Sequence, residues 1–206
     1  MNTATDAGIA AAYDARATEY AELLGSIGQM DEHDVEAIAA WRDATPGLLL
    51  DAGCGPGHWT EFLSRGGREA RGIDLSEQIV AAARGRHPGI AYEVGTFRDL
   101  PFRDGSVGGI LAWYSLIHTP PAELPDILAE FGRVLAPGGG ILIGFFDGEP
   151  GEPFAHAVAP SYFWSGGALS MLLRDAGFDR ESAGSRERRP GEVSVRPHGS
   201  LVARRR

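Results

Sequence analysis

Apolar residues change their spacing along this chain, and the change separates a helical start from a strand-and-helix remainder. Over residues 8–42, apolar side chains recur at three- and four-residue steps, which predicts helices. A second helical stretch begins near Asp31, which is expected to act as its N-cap. Pro46 and Gly47 then end the pattern, so a different organisation begins there.

From residue 48 onward, short apolar runs typical of buried strands alternate with helix-length amphipathic segments. The predicted strands are residues 48–50, 70–74, 90–94, 109–113, 141–146, 182–186 and 200–203. The predicted helices are residues 59–64, 76–87, 121–135 and 165–176. We expect Ser76 to cap the second of these helices, and residues 137–139 (Pro-Gly-Gly) to terminate the third.

This alternation predicts an α/β fold, because helix-length crossovers join parallel strands and place helices on both faces of the sheet. The last two strands have no helix between them, so they are expected to form an antiparallel hairpin at one edge. Residues 147–164 are the one long insertion. Without repeats or low-complexity tracts, the chain reads as a single domain over residues 1–206.

Composition narrows the function classes. The 206 residues carry a formal net charge of −9, which argues against a general nucleic-acid binder despite an arginine-rich end. A single cysteine excludes an intramolecular disulfide and a CxxC metal motif, and the scattered histidines predict no metal site. No apolar stretch is long enough to span a bilayer and no signal peptide is recognisable, so we expect a cytoplasmic protein that does not bind membranes.

The strongest motif is the run Leu48-Leu49-Leu50-Asp51-Ala52-Gly53-Cys54-Gly55-Pro56-Gly57. Here a buried strand leads to the sheet edge where open α/β folds bind ligands. Gly53 and Gly55 allow the backbone to approach a ligand closely, and Gly57 is expected to let the next helix pack tightly. Asp74 ends the next strand, where an acid can accept hydrogen bonds from ribose hydroxyls. The alternative is that Asp51 and Asp74 merely cap turns.

Together with residues 99–102 (Asp-Leu-Pro-Phe) and 135–139 (Leu-Ala-Pro-Gly-Gly), these motifs resemble the ordered motifs of class I S-adenosylmethionine-dependent methyltransferases. The chain is similar to the small-molecule methyltransferases of that class, a group that includes the quinone-biosynthesis C-methyltransferases, over about residues 10–204. The resemblance implies a Rossmann-like three-layer domain whose seven-stranded sheet has the order 3-2-1-4-5-7-6 with the last strand antiparallel.

The resemblance also implies the cofactor, S-adenosylmethionine, with S-adenosylhomocysteine as product. In that family the glycine turn holds the methionine part of the cofactor and the second acid, here Asp74, holds the ribose. Asp51 matches the first-motif acid, which commonly acts through water or the ligand's ammonium group. The residues expected to bind the cofactor are Tyr20, Asp51, Gly53, Cys54, Gly55, Asp74, Leu75, Thr96, Phe97 and Trp113.

Two positions depart from the family pattern. Relatives often carry Asp at the position of Thr96, where it accepts a hydrogen bond from the adenine amino group. A hydroxyl can accept the same bond more weakly, and Phe97 can add a backbone N–H and a ring. Gly108 replaces an Asp at the start of strand four, which is expected to affect packing more than chemistry.

The segment after strand four is expected to face the transferred methyl group. Trp113 and Tyr114 can shape that channel, because aromatic faces favour a cationic sulfonium. His118 is the general-base candidate, with Tyr114 as a second catalytic candidate, since the ordinary pKa of histidine lies near neutrality. The alternative for His118 is a structural histidine that bonds the backbone beneath the cleft.

The two ends of the chain supply candidate walls for the cleft. Residues 1–45 resemble the family's N-terminal helical lid, in which Tyr13 and Tyr20 can close over the ligands, or else form a packed helix stripe. Residues 46–146 are then the cofactor-binding core, and residues 147–206 supply a substrate loop, the last helix and the edge hairpin. The residues expected to bind substrate are Tyr13, Trp113, Tyr114, Tyr162 and Trp164, although the loop aromatics can equally form a satellite core.

The sequence therefore predicts an enzyme of class EC 2.1.1 that methylates an oxygen, nitrogen or carbon of a small molecule. Two alternatives remain open. A cofactor-binding sensor or scaffold would keep the fold without turnover, and an NAD-dependent oxidoreductase would need a G-x-G-x-x-G turn, which this chain shortens by one residue. The acceptor is not identified by the sequence, and neither is the choice between monomer and homodimer.

Overall fold

The computed structural model describes residues 4–189 and 194–206, and its first part is helical. Helices α1 (Ala4–Asp14) and α2 (Ala17–Leu23) are followed by a 3-10 turn, and α3 spans Glu32–Ala44. The predicted helical region is thus interrupted near Gly25, where an added Cβ would lie 2.0 Å from the Ala21 carbonyl oxygen. Asp31 caps α3 as predicted, since its side chain accepts from the His33 N–H.

Strands and helices then alternate. The strands are β1 (Leu49–Ala52), β2 (Ala70–Asp74), β3 (Ala91–Val94), β4 (Val107–Trp113), β5 (Leu135–Phe146), β6 (Pro153–Phe154), β7 (Ser161–Tyr162), β8 (Phe178–Arg186) and β9 (His198–Arg205). The helices are α4 (His58–Ser64), α5 (Glu77–Arg86), α6 (Leu124–Val134) and α7 (Gly166–Asp175), with a further 3-10 turn over Leu116–His118. Ser76 and Ser165 cap α5 and α7 through their side chains.

Seven strands form one sheet in the order β3-β2-β1-β4-β5-β9-β8. Strands β1 to β5 pair in parallel, whereas β9 is antiparallel to both β5 and β8. The predicted order and the predicted edge hairpin are confirmed, because β8 and β9 are the strands numbered six and seven in the prediction. Strands β6 and β7 form a separate two-stranded hairpin inside the long insertion.

One predicted boundary is wrong. Residues 137–139 were expected to terminate the helix, but α6 ends at Val134 and β5 begins with the next residue. The β4–β5 pairing explains the difference, since its register shifts between Val107 and Gly109 on one strand and between Leu135 and Gly140 on the other. The Pro-Gly-Gly run therefore lies in an irregular start of the strand, where Gly138 has a φ of +75°.

Helices cover both faces of the sheet. One face packs α6 and α7 against the strands around Phe131, Phe145 and Phe178, all three of which are at most 2 % exposed. The other face packs α3 and α4, through Trp41 and Trp59 among others. The predicted three-layer arrangement follows from this alternation, because successive residues of a buried strand point to opposite faces.

Arginines near the C-terminal end pair with acids: Arg186 with Asp34, Arg204 with Glu181, and Arg206 with Asp179. Across residues 4–189 and 194–206, none of the helices has the length and apolar character that crossing a bilayer requires. The same residues contain no group of three or more histidine, cysteine or acidic side chains placed to bind a metal.

We predict that Gly72→Ala destabilises the protein by about 1–3 kcal/mol through overpacking. The backbone conformation at Gly72 is open to any residue, but an added Cβ would lie 2.6 Å from the Tyr92 ring and 2.9 Å from Cys54 Cβ. Gly184→Ala on β8 is the matched control, because no atom lies within 4 Å of the added Cβ. Urea unfolding measures both, and equal free energies of unfolding for the two variants would contradict the packing argument.

Candidate functional site

A cavity of about 600 Å³ opens at the edge of the sheet where β1, β2, β3 and β4 end. This volume lies within the range of small-molecule and cofactor sites. Its wall contains most of the residues predicted from the sequence: Tyr13, Tyr20, Gly53, Cys54, Gly55, Asp74, Leu75, Thr96, Phe97, Trp113, Tyr114 and His118. The parallel strands bring these residues to one edge from distant parts of the chain.

The turn after β1 is built from glycines with positive φ. Gly53 has a φ of +80° and Gly55 a φ of +53°, a region that residues with a Cβ rarely adopt. An added Cβ at Gly53 would lie 2.3 Å from Ser115 Cβ and 3.2 Å from the tip of the Phe97 ring, whereas no atom lies within 4 Å of one at Gly55. The turn is thus packed tightly on one side and open to the cavity at Gly55.

Gly57 has a structural role, as predicted, although with a different partner. It begins α4 with a φ of +87°, and an added Cβ would lie 2.6 Å from the Tyr92 hydroxyl. The sequence predicted close packing of the next helix, α4. The structure instead places β3 and α5 against this glycine, because Tyr92 and Ala83 are its neighbours.

Asp74 connects the end of β2 to the glycine turn. Its Oδ2 accepts from the Gly55 N–H at 3.0 Å, and its Oδ1 accepts from the Ser76 N–H at 3.0 Å. Burial raises the pKa of this carboxyl group. The glycine turn and Asp74 therefore face one cavity, which is the arrangement that the predicted cofactor site needs.

Asp51 lies elsewhere. Its side chain is 1 % exposed, does not line the cavity, and accepts a hydrogen bond from the Thr60 hydroxyl at 2.7 Å. Burial raises the pKa of Asp51 to about 7, with the nearby Asp74 acting in the same direction. The structure thus places the predicted first-motif acid behind the turn, where it joins β1 to α4.

The end of β3 brings in an acid that sequence reasoning missed. The Thr96 hydroxyl donates to Oδ2 of Asp6 at 2.9 Å, and Arg98 forms an ion pair with the same carboxylate at 3.1 Å. Arg98 also pairs with Glu123. Asp6 belongs to α1, which is ninety residues from Thr96 in the chain, so no local sequence signal indicates the contact.

His118 occupies the cavity wall with one face buried. Its Nδ1 lies 2.9 Å from the Pro160 carbonyl oxygen and Nε2 lies 3.0 Å from the Tyr13 hydroxyl. We assign the proton to Nδ1, because a carbonyl oxygen can only accept, and Nε2 then accepts from Tyr13. Burial lowers the pKa of His118, so the ring is neutral at neutral pH. His118 thus bonds the backbone and also faces the cavity, and its role as a general base stays a prediction.

Tyr114 has an unusual backbone. Its φ is +54°, the one positive value found for a non-glycine residue in the described chain. Its hydroxyl lies 2.5 Å from Nδ1 of His198, the first residue of β9, and both side chains line the cavity. In the sequence His198 reads as one of several scattered histidines. The β5–β9 pairing brings it to the cavity, and no pattern of neighbouring residues indicates that pairing. Strained backbone often marks a functional position.

Neither of the two loop aromatics predicted to bind substrate lines the cavity. Trp164 is 6 % exposed and packs in the main core, and Tyr162 pairs in the small β6–β7 hairpin; neither side chain lines the cavity. The loop reaches the cavity through His156 and Ala157 instead. The substrate-binding prediction for Tyr162 and Trp164 therefore gains no support, because the Asp147–Trp164 bridge holds that end of the loop against the core.

A family profile described as a methyltransferase domain matches residues 49–139, the segment that contains the glycine turn and Asp74. Residues 49–139 are a methyltransferase domain. The resemblance predicted from the motifs is confirmed by this match and by curated relatives.

A malonyl-[acyl-carrier protein] O-methyltransferase of Erwinia billingiae is 30 % identical over 142 residues, covering 69 % of this chain and 55 % of that protein. A demethylmenaquinone methyltransferase of Beutenbergia cavernae is 33 % identical over 122 residues, covering 55 % of this chain and 50 % of that protein. The chain thus spans about half the length of these relatives.

Solved structures show the same fold at lower identity. A Burkholderia thailandensis 1,6-didemethyltoxoflavin-N1-methyltransferase, with 1,6-didemethyltoxoflavin and S-adenosylhomocysteine bound, has a TM-score of 0.75 and 23 % identity, covering 100 % of this chain and 92 % of that one. The [4+2]-cyclase SpnF has a TM-score of 0.80 and 18 % identity, covering 96 % of this chain and 94 % of that one. These likenesses establish the fold alone.

We predict that Asp51→Asn stabilises the protein at alkaline pH. The folded pKa of about 7 exceeds the ordinary value of 3.8, so the native state holds the extra proton between these values. Stability from this group is therefore present at acid pH and is lost as pH rises through that window. The amide oxygen keeps the Thr60 hydrogen bond, and the expected gain is about 2–4 kcal/mol at pH 8 and near zero at acid pH.

Urea unfolding of wild type and variant at pH 8 and pH 4 measures the difference. Asp43→Asn is the control, because Asp43 lies on the surface beside Arg42, and its change should stay within about 0.5 kcal/mol. A gain for Asp51→Asn of equal size at both pH values would contradict the titration argument.

Proposed function

We propose that this chain is an S-adenosylmethionine-dependent methyltransferase, of class EC 2.1.1, that acts on an oxygen, nitrogen or carbon nucleophile of a small molecule. One observation carries the proposal: the glycine turn after β1 and the Asp74 carboxylate face the same cavity, inside the matched methyltransferase domain. An acid at the end of the second strand beside a glycine turn is the arrangement that binds a nucleoside in open α/β folds.

The residues present fit the cofactor. Gly55 leaves open space beside the backbone, so a ligand can approach the turn closely. Each oxygen of Asp74 accepts one backbone N–H and keeps a second lone pair for a ribose hydroxyl. Bound at this place, the cofactor supplies a methyl group on a positively charged sulfur. The chain's own residues hold and orient the reactants.

Aromatic side chains line the part of the cavity next to the turn. Trp113 ends β4 and Tyr114 follows it, with ring centroids 5.4 Å apart, and Tyr20 contributes from α2. Their faces favour a cation and their bulk excludes water, and both effects assist an in-line methyl transfer. We therefore propose that these three aromatic residues surround the transferred methyl group.

The Tyr13–His118 pair is the proposed proton acceptor. His118 is neutral, with its lone pair at Nε2 directed to the Tyr13 hydroxyl on α1. An acceptor hydroxyl that replaces Tyr13 at Nε2 can pass its proton to His118 as its oxygen is methylated. The Pro160 carbonyl holds the ring in the required tautomer, since it accepts from Nδ1–H.

A second candidate is a protein of the same fold that binds the cofactor without methyl transfer. The observation that favours it is the likeness to a [4+2]-cyclase, since this fold carries other chemistry. The acceptor itself is also open, because the relatives are named for a carrier-linked malonyl group and for a quinone, and the chain spans about half of each.

We predict that the purified protein binds S-adenosylhomocysteine and that Asp74→Asn weakens this binding about tenfold or more, because a charged acceptor for ribose hydroxyls is lost. Isothermal titration calorimetry measures the affinity. Glu93→Gln is the matched control, since this acid on the neighbouring β3 pairs with Arg71 outside the cavity. Absence of heat and of a thermal shift in the wild type at millimolar ligand would refute the proposal.

We further predict that His118→Gln lowers turnover about a hundredfold or more, the usual contribution of a general base, and leaves the affinity for S-adenosylhomocysteine unchanged. The assay follows S-adenosylhomocysteine formation on malonyl-acyl-carrier protein, demethylmenaquinone, 1,6-didemethyltoxoflavin and simple phenols. In the wild type the rate should rise with pH through a pKa below 6.5 and level off near neutrality, because burial lowers the pKa of His118.

His87→Gln serves as the control, because His87 follows α5 outside the cavity wall. Normal turnover and an unchanged pH profile in His118→Gln would remove the base role. Ligand binding without product from every acceptor in the panel would favour the second candidate.

A further inference from the structure

The N-terminal helix places a buried carboxylate in the wall of the cavity. Asp6 is 5 % exposed and lines the cavity beside Thr96, Phe97 and Arg98. Its side chain is the single one in the described part of α1 that is fully buried. An acid is costly to bury unless its partners compensate, so its place on an otherwise half-exposed helix requires an explanation.

The contacts of Asp6 hold the carboxylate in place as a hydrogen-bond acceptor. Arg98 supplies the opposite charge through Nε at 3.1 Å, and the Thr96 hydroxyl donates to Oδ2 at 2.9 Å. The Thr96 oxygen in turn lies 3.3 Å from the Arg98 backbone N–H, from which it accepts. Thr96 is thus occupied as donor and acceptor, and the stronger acceptor at this place is Asp6.

The position of Asp6 follows from the strand register. Asp74 on β2 pairs with Val94 on β3, and Thr96 lies two residues beyond Val94 at the same edge of the sheet. Adjacent strands are about 4.8 Å apart, so the carboxylate held by Thr96 lies one strand outward from Asp74. The Phe97 ring reaches from the end of β3 to the glycine turn, since its tip is 3.2 Å from the Cβ position of Gly53.

Asp74, Phe97 and Asp6 line one cavity, so a ribose at Asp74 can place its base against the Phe97 ring and beside Asp6. A carboxylate accepts hydrogen bonds and cannot donate them, so it suits an amino group and repels a carbonyl oxygen. Resting on the proposed function, we propose that Asp6 accepts a hydrogen bond from the exocyclic amino group of the cofactor's adenine. The lid helix then carries the side chain that selects adenine.

This arrangement couples the cofactor to the lid. Asp14, at the other end of α1, accepts from the Ser76 hydroxyl at 2.5 Å and from the Gln78 N–H at 3.1 Å. Tyr13 forms a third polar contact through its hydrogen bond to His118. The described polar contacts between α1 and the core therefore surround the cavity. An adenine that bonds Asp6 adds one more contact to a helix held mainly by polar groups.

The test compares S-adenosylhomocysteine with S-inosylhomocysteine, in which a carbonyl oxygen replaces the amino group. We expect the wild type to prefer the adenine ligand by about tenfold or more in titration calorimetry, since a lost partner leaves a charged acceptor unpaired. In Asp6→Ala the preference should fall to about twofold. Asp14→Ala is the matched control, because it removes the other carboxylate contact of α1 and should weaken both ligands equally.

A rescue variant strengthens the test. Thr96→Asp in the Asp6→Ala background should restore the preference, because the Thr96 hydroxyl lies 2.9 Å from the lost oxygen. Thermal unfolding without ligand checks that each variant is folded. The preference of the wild type for the adenine ligand is a separate test, which does not depend on the folding of any variant.

Four results would overturn the inference. If the wild type binds both ligands equally, the inference about Asp6 is refuted, but the proposed cofactor is not. An Asp6→Ala variant that keeps the full preference, or loses affinity for both ligands in parallel with Asp14→Ala, would reduce Asp6 to a contact of the lid. A wild type that binds neither ligand would overturn the proposed function as well.

Discussion

The site depends on the hydrogen bond from the Gly55 N–H to the Asp74 carboxylate. This bond joins the turn after β1 to the end of β2, and it forms only because Gly53 and Gly55 adopt positive φ values. A residue with a Cβ at Gly53 would collide with Ser115 and displace the end of β4. The conformation of one short turn therefore sets the relative positions of three strand ends, and with them the shape of the cavity.

Buried acids are the energetic cost of this arrangement. Asp74 is stabilised by two backbone N–H groups, and Asp6 by Arg98. Asp51 has the Thr60 hydroxyl, and its pKa rises to about 7 because one hydroxyl does not replace water. The three carboxyl groups thus differ in the polar partners that replace water around them. Those with charged or backbone partners line the cavity, and the least solvated one lies behind it.

Much of this could be predicted from the sequence, because the signals are local. The β–α alternation, the glycine turn, Asp74, and the caps at Asp31 and Ser76 each depend on residues that are neighbours in the chain. What could not be predicted depends on distant pairing. The β4–β5 register shift, the Tyr114–His198 contact, and Asp6 beside Thr96 join segments that are far apart, and no local pattern encodes them. The substrate-binding prediction for Tyr162 and Trp164 gains no support for a related reason, since composition cannot distinguish a core residue from a cavity residue.

The boundaries of the matched domain explain why the cofactor is easier to infer than the acceptor. The glycine turn, Asp74 and Phe97 all lie within residues 49–139, so similarity to known proteins covers that part of the cavity. Further parts of the wall lie outside the match: the N-terminal helices contribute, and so do Phe146, His156, Ala157, Ser194, Arg196 and His198. These segments are held by polar contacts and by β9 pairing, both of which tolerate changes of sequence without changing the sheet. Specificity for an acceptor can therefore diverge while the turn and its acid stay constrained by backbone geometry.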